Sequence, residues 1–171
     1  MVQFSLEELM NDLSDNLPDN FAEPISFKKG KVIFAEGEKS SYLYIVVKGE
    51  VMIFKDENNR ILPITVVGEK DFIGELSMFS DEKRSASAIA SEDSQLMMIK
   101  KNDIRLVLKE CPEWVTSIMN TISDRLRSTV DLLREHRITD DLNTNTKNLT
   151  AEETNQFLSS LKDYKSRRGI K

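Results

Sequence analysis

The sequence contains only one cysteine, Cys111, and one histidine, His136, in 171 residues. A metal site built from several imidazoles or thiolates therefore cannot be assembled within this chain, and an internal disulfide is excluded. A Cys/His nucleophilic pair would have to use these two residues. Because Cys111 directly precedes Pro112 at a predicted helix start, a structural role is favoured over catalysis. We expect no metal, no other cofactor and no enzymatic activity.

Long apolar runs are also missing, since no stretch approaches the roughly 18 to 20 apolar residues that a membrane span needs. Residues 1–20 lack the basic and apolar regions of a secretory signal. We therefore expect a cytoplasmic protein without a membrane span. The 24 basic and 29 acidic side chains give a net charge of -5, which argues against a general nucleic-acid binder.

Glycine is sparse, but most of the glycines separate short apolar runs, a pattern typical of short strands joined by turns. These glycines are Gly30, Gly37, Gly49, Gly68 and Gly74. Two strands are predicted to pair as a hairpin around the turn at Lys48 and Gly49. Their residues expected to share one face are Leu43, Ile45, Val47, Val51 and Ile53. Pro63 indicates an edge strand or a bulge. The region is predicted to be mainly β, as a sandwich or barrel in the jelly-roll style.

Helical patterns flank these strands. Ser5 and Glu8 form a capping box that predicts an N-terminal helical segment within residues 1–20. A short helix is predicted around residues 103–108. From residue 112 to residue 138, apolar side chains recur every three or four positions without an interior proline or glycine, which predicts one long helix of about 40 Å. Residues 21–138, including this long helix 112–138, are predicted to form the main domain.

The apolar stripe of the long helix is longer than a small barrel needs on its own flank. We therefore expect it to pair with the same stripe of a second subunit in a homodimer. The alternative is a helix that lies wholly on its own domain. Residues 139–171 are predicted to form an irregular linker and a last helix, capped by Thr150 and Glu153. Its basic end is expected to be a solvated tail, with docking to an acidic partner or nucleic acid as the alternatives.

The stretch DFIGELSMFSDEKRSASA, residues 71–88, combines the side chains that a phosphate and a sugar require. Gly74 lets backbone N–H groups approach a ligand closely, and the Arg84 guanidinium can donate to two phosphate oxygens at once. A carboxylate beside a phosphate would repel it unless it accepts hydrogen bonds from hydroxyl groups of the same ligand. Glu75 is therefore expected to bind a ribose. Phosphate and ribose together indicate a nucleotide.

Residues 72–76 followed by Arg84, Ser85 and Ala86 resemble the phosphate-binding cassette of cyclic nucleotide-binding domains, particularly the bacterial catabolite activator type. Residues 27–38 and 43–51 look like the first strands of that family, so the resemblance extends from about residue 25 to residue 133. It implies a double-stranded β-helix, or jelly roll, followed by a long C-terminal helix.

The resemblance also implies roles for the ligand-binding residues. Glu75 would accept the ribose 2′-hydroxyl, Arg84 would pair with the cyclic phosphate, and Ser85 would donate to the same phosphate. Gly74 and Leu76 would line the cassette through their backbone, next to Ala86. On the long helix, Thr129 matches the threonine that contacts the adenine amino group. Its neighbour Val130 replaces a serine of the activator that would contact the base from the partner subunit.

The resemblance implies a sensor that binds cyclic AMP, and we expect it to relay its occupancy through the long helix to an unidentified downstream protein. Cyclic GMP is the alternative ligand, since a hydroxyl residue after the cassette arginine, here Ser85, favours guanine in some eukaryotic relatives. About 33 residues follow the long helix, too few for a winged helix-turn-helix, so DNA binding is not expected. An alternative is a degenerate domain that serves as a scaffold, with Glu75 and Arg84 joined in a salt bridge. An enzyme on a cupin-like barrel is poorly supported, because such barrels use several histidines.

Overall fold

The computed structural model describes residues 23–57, 60–79, 82–135 and 149–170. The predicted N-terminal helical segment and most of the predicted linker lie outside these residues. The strands are β1 (Ile25–Phe27), β2 (Val32–Phe34), β3 (Tyr42–Lys48), β4 (Val51–Glu57), β5 (Arg60–Val67), β6 (Phe72–Ile73), β7 (Ser87–Ala90) and β8 (Ser94–Lys100). The α-helices are α1 (Lys101–Lys109), α2 (Glu113–Glu135) and α3 (Ala151–Arg168).

The strands form two antiparallel sheets of four, with the orders β1-β8-β3-β6 and β2-β7-β4-β5. The chain changes sheets at most of its turns, so neighbouring strands in sequence are seldom neighbours in a sheet. This double-sheet arrangement with flanking helices confirms the predicted mainly β, jelly-roll fold.

The pairing predicted around Lys48 and Gly49 is wrong. Strand β3 pairs with β6 and β8, whereas β4 pairs with β5 and β7, so the turn at Gly49 is a corner between sheets and not a hairpin. The predicted shared face is wrong for the same reason. Tyr44 and Val46 point to the interior with Val51, while Leu43 and Ile45 pack on the opposite side of their sheet.

Three apolar layers hold the sandwich together. Between the sheets lie buried residues of both, among them Phe34, Tyr44, Val46, Val51 and Leu96. The outer face of the first sheet packs against Met78 of the cassette and Ile104 of α1. The outer face of the second sheet packs against α3. The first sheet therefore supports the cassette, residues 71–88, through its contact with Met78.

The prediction for Pro63 is confirmed. Strand β5 is at the edge of its sheet, where the missing N–H of a proline leaves no gap in a ladder. Pro63 also faces Phe54 at a register shift between Ile53 and Phe54, so the edge and the bulge coincide.

Helix α1 begins and ends within two residues of its predicted bounds, and α2 is the predicted long helix within the described residues. Of the helices in this part of the chain, none has the length and apolar composition needed to cross a lipid bilayer. Helix α2 lies against the cassette, and its opposite side leaves Ile118, Ile122 and Leu126 about half exposed.

Helix α3 has the predicted capping box between Thr150 and Glu153. The helix continues to Arg168 and is docked, so the expectation of a solvated tail is wrong for Tyr164 and Lys165, whereas Lys162, Arg167 and Arg168 keep exposed side chains. Phe157, Leu161 and Tyr164 are buried against the second sheet. Lys165 pairs with Asp56 at 3.2 Å, and Arg168 pairs with Glu38 at 2.7 Å. Two of the basic side chains thus face carboxylates of the barrel, and the charge of the segment does not predict these pairings.

The contacts of Glu153 at the start of α3 predict that the stability of the fold depends on pH. The Glu153 carboxylate accepts hydrogen bonds from the Lys29 ammonium and the Thr150 N–H, which lower its pKa from 4.5 to about 2. A depressed carboxyl pKa contributes stability above the unfolded value, and this is lost as the pH falls toward about 2. We expect the urea-derived free energy of unfolding to fall less between pH 6 and pH 3 in Glu153→Gln than in the wild type. Parallel curves would contradict this, since glutamine keeps a capping-box side chain without the charge.

Candidate ligand-binding site

The cassette begins with a left-handed turn at Gly74. Strand β6 ends at Ile73, Gly74 has φ +82°, and a short 3-10 helix follows over Glu75–Ser77. A Cβ atom at residue 74 would lie 2.1 Å from the Nη1 atom of Arg84. Glycine is therefore required both by the backbone conformation and by the close approach of the guanidinium.

Arg84 brings a guanidinium into this turn from the other end of the cassette. Its Nη1 donates to the Gly74 carbonyl at 2.8 Å and to the Ser77 hydroxyl at 2.9 Å. Its Nη2 donates to the Tyr42 carbonyl of β3. Among the described residues, the buried Nε has no hydrogen-bond partner. Since a guanidinium has five N–H donors, an anion could still be bound by the donors left over.

The environment of Arg84 is apolar for a cation. The side chain is 5% exposed, and its Cζ lies 4.1 Å above the centre of the Phe34 ring. Burial lowers the pKa of Arg84, opposed by Tyr44, Glu38 and Glu75, but arginine remains protonated in proteins. A buried positive charge held by carbonyls and an aromatic ring attracts an anion more strongly than an exposed one would.

A cavity of about 160 Å³ opens beside this guanidinium. Six of the seven residues predicted to bind a ligand line it, namely Gly74, Glu75, Leu76, Arg84, Ser85 and Ala86. Strand β5 forms the facing wall with Ile64, Thr65 and Val67. The charged groups of the cavity therefore come from the cassette, while the rest of its lining is mostly apolar.

Glu75 and Arg84 do not form the salt bridge that a degenerate cassette was expected to contain. No ion pair within 4 Å joins them, and the described hydrogen bonds of Arg84 go to neutral acceptors. Both side chains line the same cavity. The carboxylate and the guanidinium are thus two separate charged groups on the lining of one cavity.

Thr129 lies on the exposed side of α2, where its hydroxyl donates to the Arg125 carbonyl at 2.9 Å. Its neighbour Val130 lines the cavity instead. Within one chain, the structure therefore does not bring Thr129 to the other site residues. Thr129 follows Leu126 by three positions, on the same side of the helix as the exposed apolar stripe.

Two residues that hold the cassette in place were missed at the level of sequence. Ser77 accepts a hydrogen bond from Arg84 and donates to the Gly74 carbonyl at 3.1 Å. Arg127 of α2 donates to the carbonyls of Leu76 and Lys83, at 3.3 Å and 3.1 Å. The position of Ser77, three residues after a turn glycine, was a signal for a side chain that returns to the backbone. Arg127 gave no local signal, because its partners are backbone atoms.

Comparisons with known proteins agree with this geometry. A family model described as the cyclic nucleotide-binding domain matches residues 24–111. The CRP-like cAMP-activated global transcriptional regulator of Mycobacterium tuberculosis is 30% identical over 119 residues, which are 69% of this chain and 53% of that protein. The chain thus spans about half the length of this relative.

Among solved structures, the EAL enzyme Bd1971 in its cAMP-bound form has a TM-score of 0.59 and 28% identity, and the match covers 69% of this chain and 33% of that chain. Its cGMP-bound form has a TM-score of 0.58 and 30% identity, with coverage of 61% and 28%. The family match covers more than half of the chain and includes both ends of the cassette. This chain belongs to the cyclic nucleotide-binding domain family.

Proposed function

We propose that this chain is a cyclic nucleotide sensor that binds cyclic AMP, and cyclic GMP less well, in the cassette of residues 71–88. It relays occupancy to a downstream protein and carries out no chemical reaction. The observation that carries the proposal is the buried Arg84 guanidinium, whose Nε has no acceptor within the described parts of the chain. A cyclic phosphate supplies the anionic oxygens that such a donor requires.

The other groups of a cyclic nucleotide fit the remaining walls. The Glu75 carboxylate lies in the same cavity and can accept the ribose 2′-hydroxyl. A cavity of about 160 Å³ is smaller than the roughly 300 Å³ at the lower end for small-molecule sites. We therefore place the phosphate and ribose inside it and the base outward, along β5 and toward Val130 of α2.

Helix α2 is the element through which occupancy would be relayed. Arg127 ties it to the cassette backbone at Leu76 and Lys83. Asp131 ties it to Lys55, a buried lysine of β4, at 2.7 Å. A ligand that shifts the cassette therefore acts directly on groups that hold α2, and a population shift in the helix position follows.

We further propose that α2 pairs with its counterpart in a second subunit. Its exposed apolar residues, Ile118, Ile122 and Leu126, are spaced by four and so lie on one side of the helix. Thr129 continues this side. Pairing would bury the stripe and bring Thr129 close to the partner subunit, where a contact with the base of the ligand becomes feasible.

Ile122→Glu is expected to convert the dimer into a monomer, because it places a charge in the centre of an apolar seam. Sedimentation equilibrium should give twice 19.6 kDa for the wild type and 19.6 kDa for the variant. Ser117→Glu adds the same charge on a different side of α2 and should leave the dimer intact. A wild-type protein that sediments as a monomer at high concentration would refute the paired helices.

The competing proposal is a degenerate domain that acts as a scaffold without ligand. It predicts an empty cassette in the purified protein and no binding on titration. To separate the two, the protein is purified, denatured and filtered, and the filtrate is analysed by absorbance near 260 nm and by mass spectrometry. Recovery of cyclic AMP or cyclic GMP supports the sensor. If no nucleotide is recovered, titration of the protein with both nucleotides decides between the sensor and the scaffold.

A further inference from the structure

The loop between β2 and β3, residues 35–41, is joined to Arg84 through the backbone. Gly37 donates its N–H to the Arg84 carbonyl at 3.0 Å, and Arg84 donates its own N–H to the Glu38 carbonyl at 2.9 Å. Both main-chain polar groups of Arg84 are thus bound by consecutive residues of one loop. The position of the Arg84 Cα atom therefore depends on where this loop is held.

The same loop is held by α3 through the side chain of Glu38. One carboxylate oxygen of Glu38 accepts from Arg168 at 2.7 Å, and the other accepts from the Tyr164 hydroxyl at 3.1 Å. The Arg168 guanidinium also lies 5.0 Å from the centre of the Tyr164 ring. We call this set of contacts between Glu38, Tyr164 and Arg168 the Glu38 clasp. Burial and the Glu38 carboxylate raise the pKa of Tyr164, so the phenol keeps the proton that it donates.

Arg84 also lines two cavities. On one side lies the cassette cavity, and on the other lies a groove of about 1130 Å³ between the Glu38 loop and the end of α3. Arg84 lines both, and so does Phe34 beneath it. A shift of the guanidinium that starts in one cavity therefore changes the lining of the other cavity directly.

We propose that docking of α3 and ligand binding at Arg84 are coupled through the Glu38 clasp, so that each favours the other. This inference rests on the proposed function and adds a second output element to it. The clasp fixes the loop, the loop fixes the main chain of Arg84, and a fixed guanidinium binds a phosphate at a lower cost in conformational entropy.

Coupling of this kind is reciprocal. If an intact clasp raises the affinity for cyclic nucleotide by some factor, bound nucleotide favours the docked state of α3 by the same factor. Typical couplings amount to about fivefold or more. Loss of ligand would therefore make α3 detach more often. Detachment would expose the apolar surface of the second sheet that Phe157 and Leu161 cover.

The test uses the full chain and a double variant, Tyr164→Phe with Arg168→Gln, which removes both donors to the Glu38 side chain from α3. Lys165→Met is the matched control. It removes another contact of α3 with the barrel, the pair with Asp56, without touching the loop. Affinity for cyclic AMP is measured by calorimetry, and amide hydrogen exchange in α3 is measured with and without cyclic AMP. Thermal unfolding shows that each variant is folded.

We expect the double variant to bind cyclic AMP about fivefold more weakly and Lys165→Met to bind within twofold of the wild type. Cyclic AMP should slow exchange in residues 160–168 of the wild type and have little effect there in the double variant. Equal affinities in the double variant and the control, tighter binding, or exchange in α3 that ignores the nucleotide would overturn the coupling. Absence of binding by the wild type would instead refute the proposed function.

Discussion

Arg84→Ala is expected to bind cyclic AMP about two orders of magnitude more weakly than the wild type. Truncating one partner of a buried, hydrogen-bonded charge pair costs about 2 to 5 kcal/mol, because the other charge, here the cyclic phosphate, is left without its partner. The guanidinium of Arg84 has its Nε buried without an acceptor in the described residues, so no protein acceptor there competes with the phosphate for this donor. Calorimetric titration of both proteins with cyclic AMP gives the ratio of affinities.

Two further variants separate this effect from general damage. Arg84→Lys keeps the positive charge but cannot donate from two nitrogens in one plane, so its affinity should fall between those of the wild type and the alanine variant. Arg60→Ala removes an exposed arginine at the start of β5 and should have no effect. Thermal unfolding checks that Arg84→Ala is folded. An unchanged affinity in a folded Arg84→Ala protein would remove Arg84 from the ligand site.

Gly74→Ala is expected to lower the affinity for cyclic AMP by at least tenfold and to destabilise the fold. A left-handed conformation costs a residue with a Cβ atom about 1 to 2 kcal/mol. The new methyl group would also stand 2.1 Å from the Nη1 atom of Arg84. The guanidinium must then leave the carbonyl of Gly74, and added volume in a packed site costs about 1 to 3 kcal/mol. Calorimetry and thermal unfolding of the same sample measure the two losses.

Gly37→Ala is the control for the cost of placing a residue with a Cβ atom in a left-handed conformation. Gly37 has φ +79°, close to the +82° of Gly74, but a Cβ atom there would have no heavy atom within 4 Å. The alanine keeps the N–H that donates to Arg84. The two variants therefore share the strain of a positive φ and differ in the steric displacement of Arg84. Equal losses of affinity in both would mean that contact with the guanidinium has no part in the effect.

The cassette could be located from the sequence because its residues are local. Gly74 and Glu75 are adjacent, and Arg84 to Ala86 follow after a short loop, so one motif contains most of one cavity wall. The facing wall could not be predicted in this way. Ile64 and Thr65 of β5 give only an apolar strand pattern, and which element faces the cassette depends on the order of strands in two sheets.

Errors in the sequence predictions have the same origin. A run of alternating residues predicts a strand, but it does not say whether the next strand lies in the same sheet. The turn at Gly49 therefore looked like a hairpin although it crosses between sheets. For α3, the basic residues 162–168 indicated a solvated tail. Lys162 and Arg167 are exposed, but Lys165 and Arg168 pair with Asp56 and Glu38, which are distant in sequence. The paired helix stripe remains a prediction, since it concerns a second subunit. The predicted contact of Thr129 with the base also remains a prediction, and within one chain Thr129 does not line the cavity.

The central claim, that this chain binds a cyclic nucleotide at Arg84, is tested most directly by calorimetric titration of the purified protein with cyclic AMP and, separately, with cyclic GMP. Protein from which any bound nucleotide has been removed by unfolding and refolding is used for both titrations. The account predicts saturable binding of one nucleotide per chain, tighter for cyclic AMP than for cyclic GMP, and abolished or strongly weakened in Arg84→Ala. A folded wild-type protein that gives no binding heat and no change in thermal unfolding with either nucleotide would contradict it.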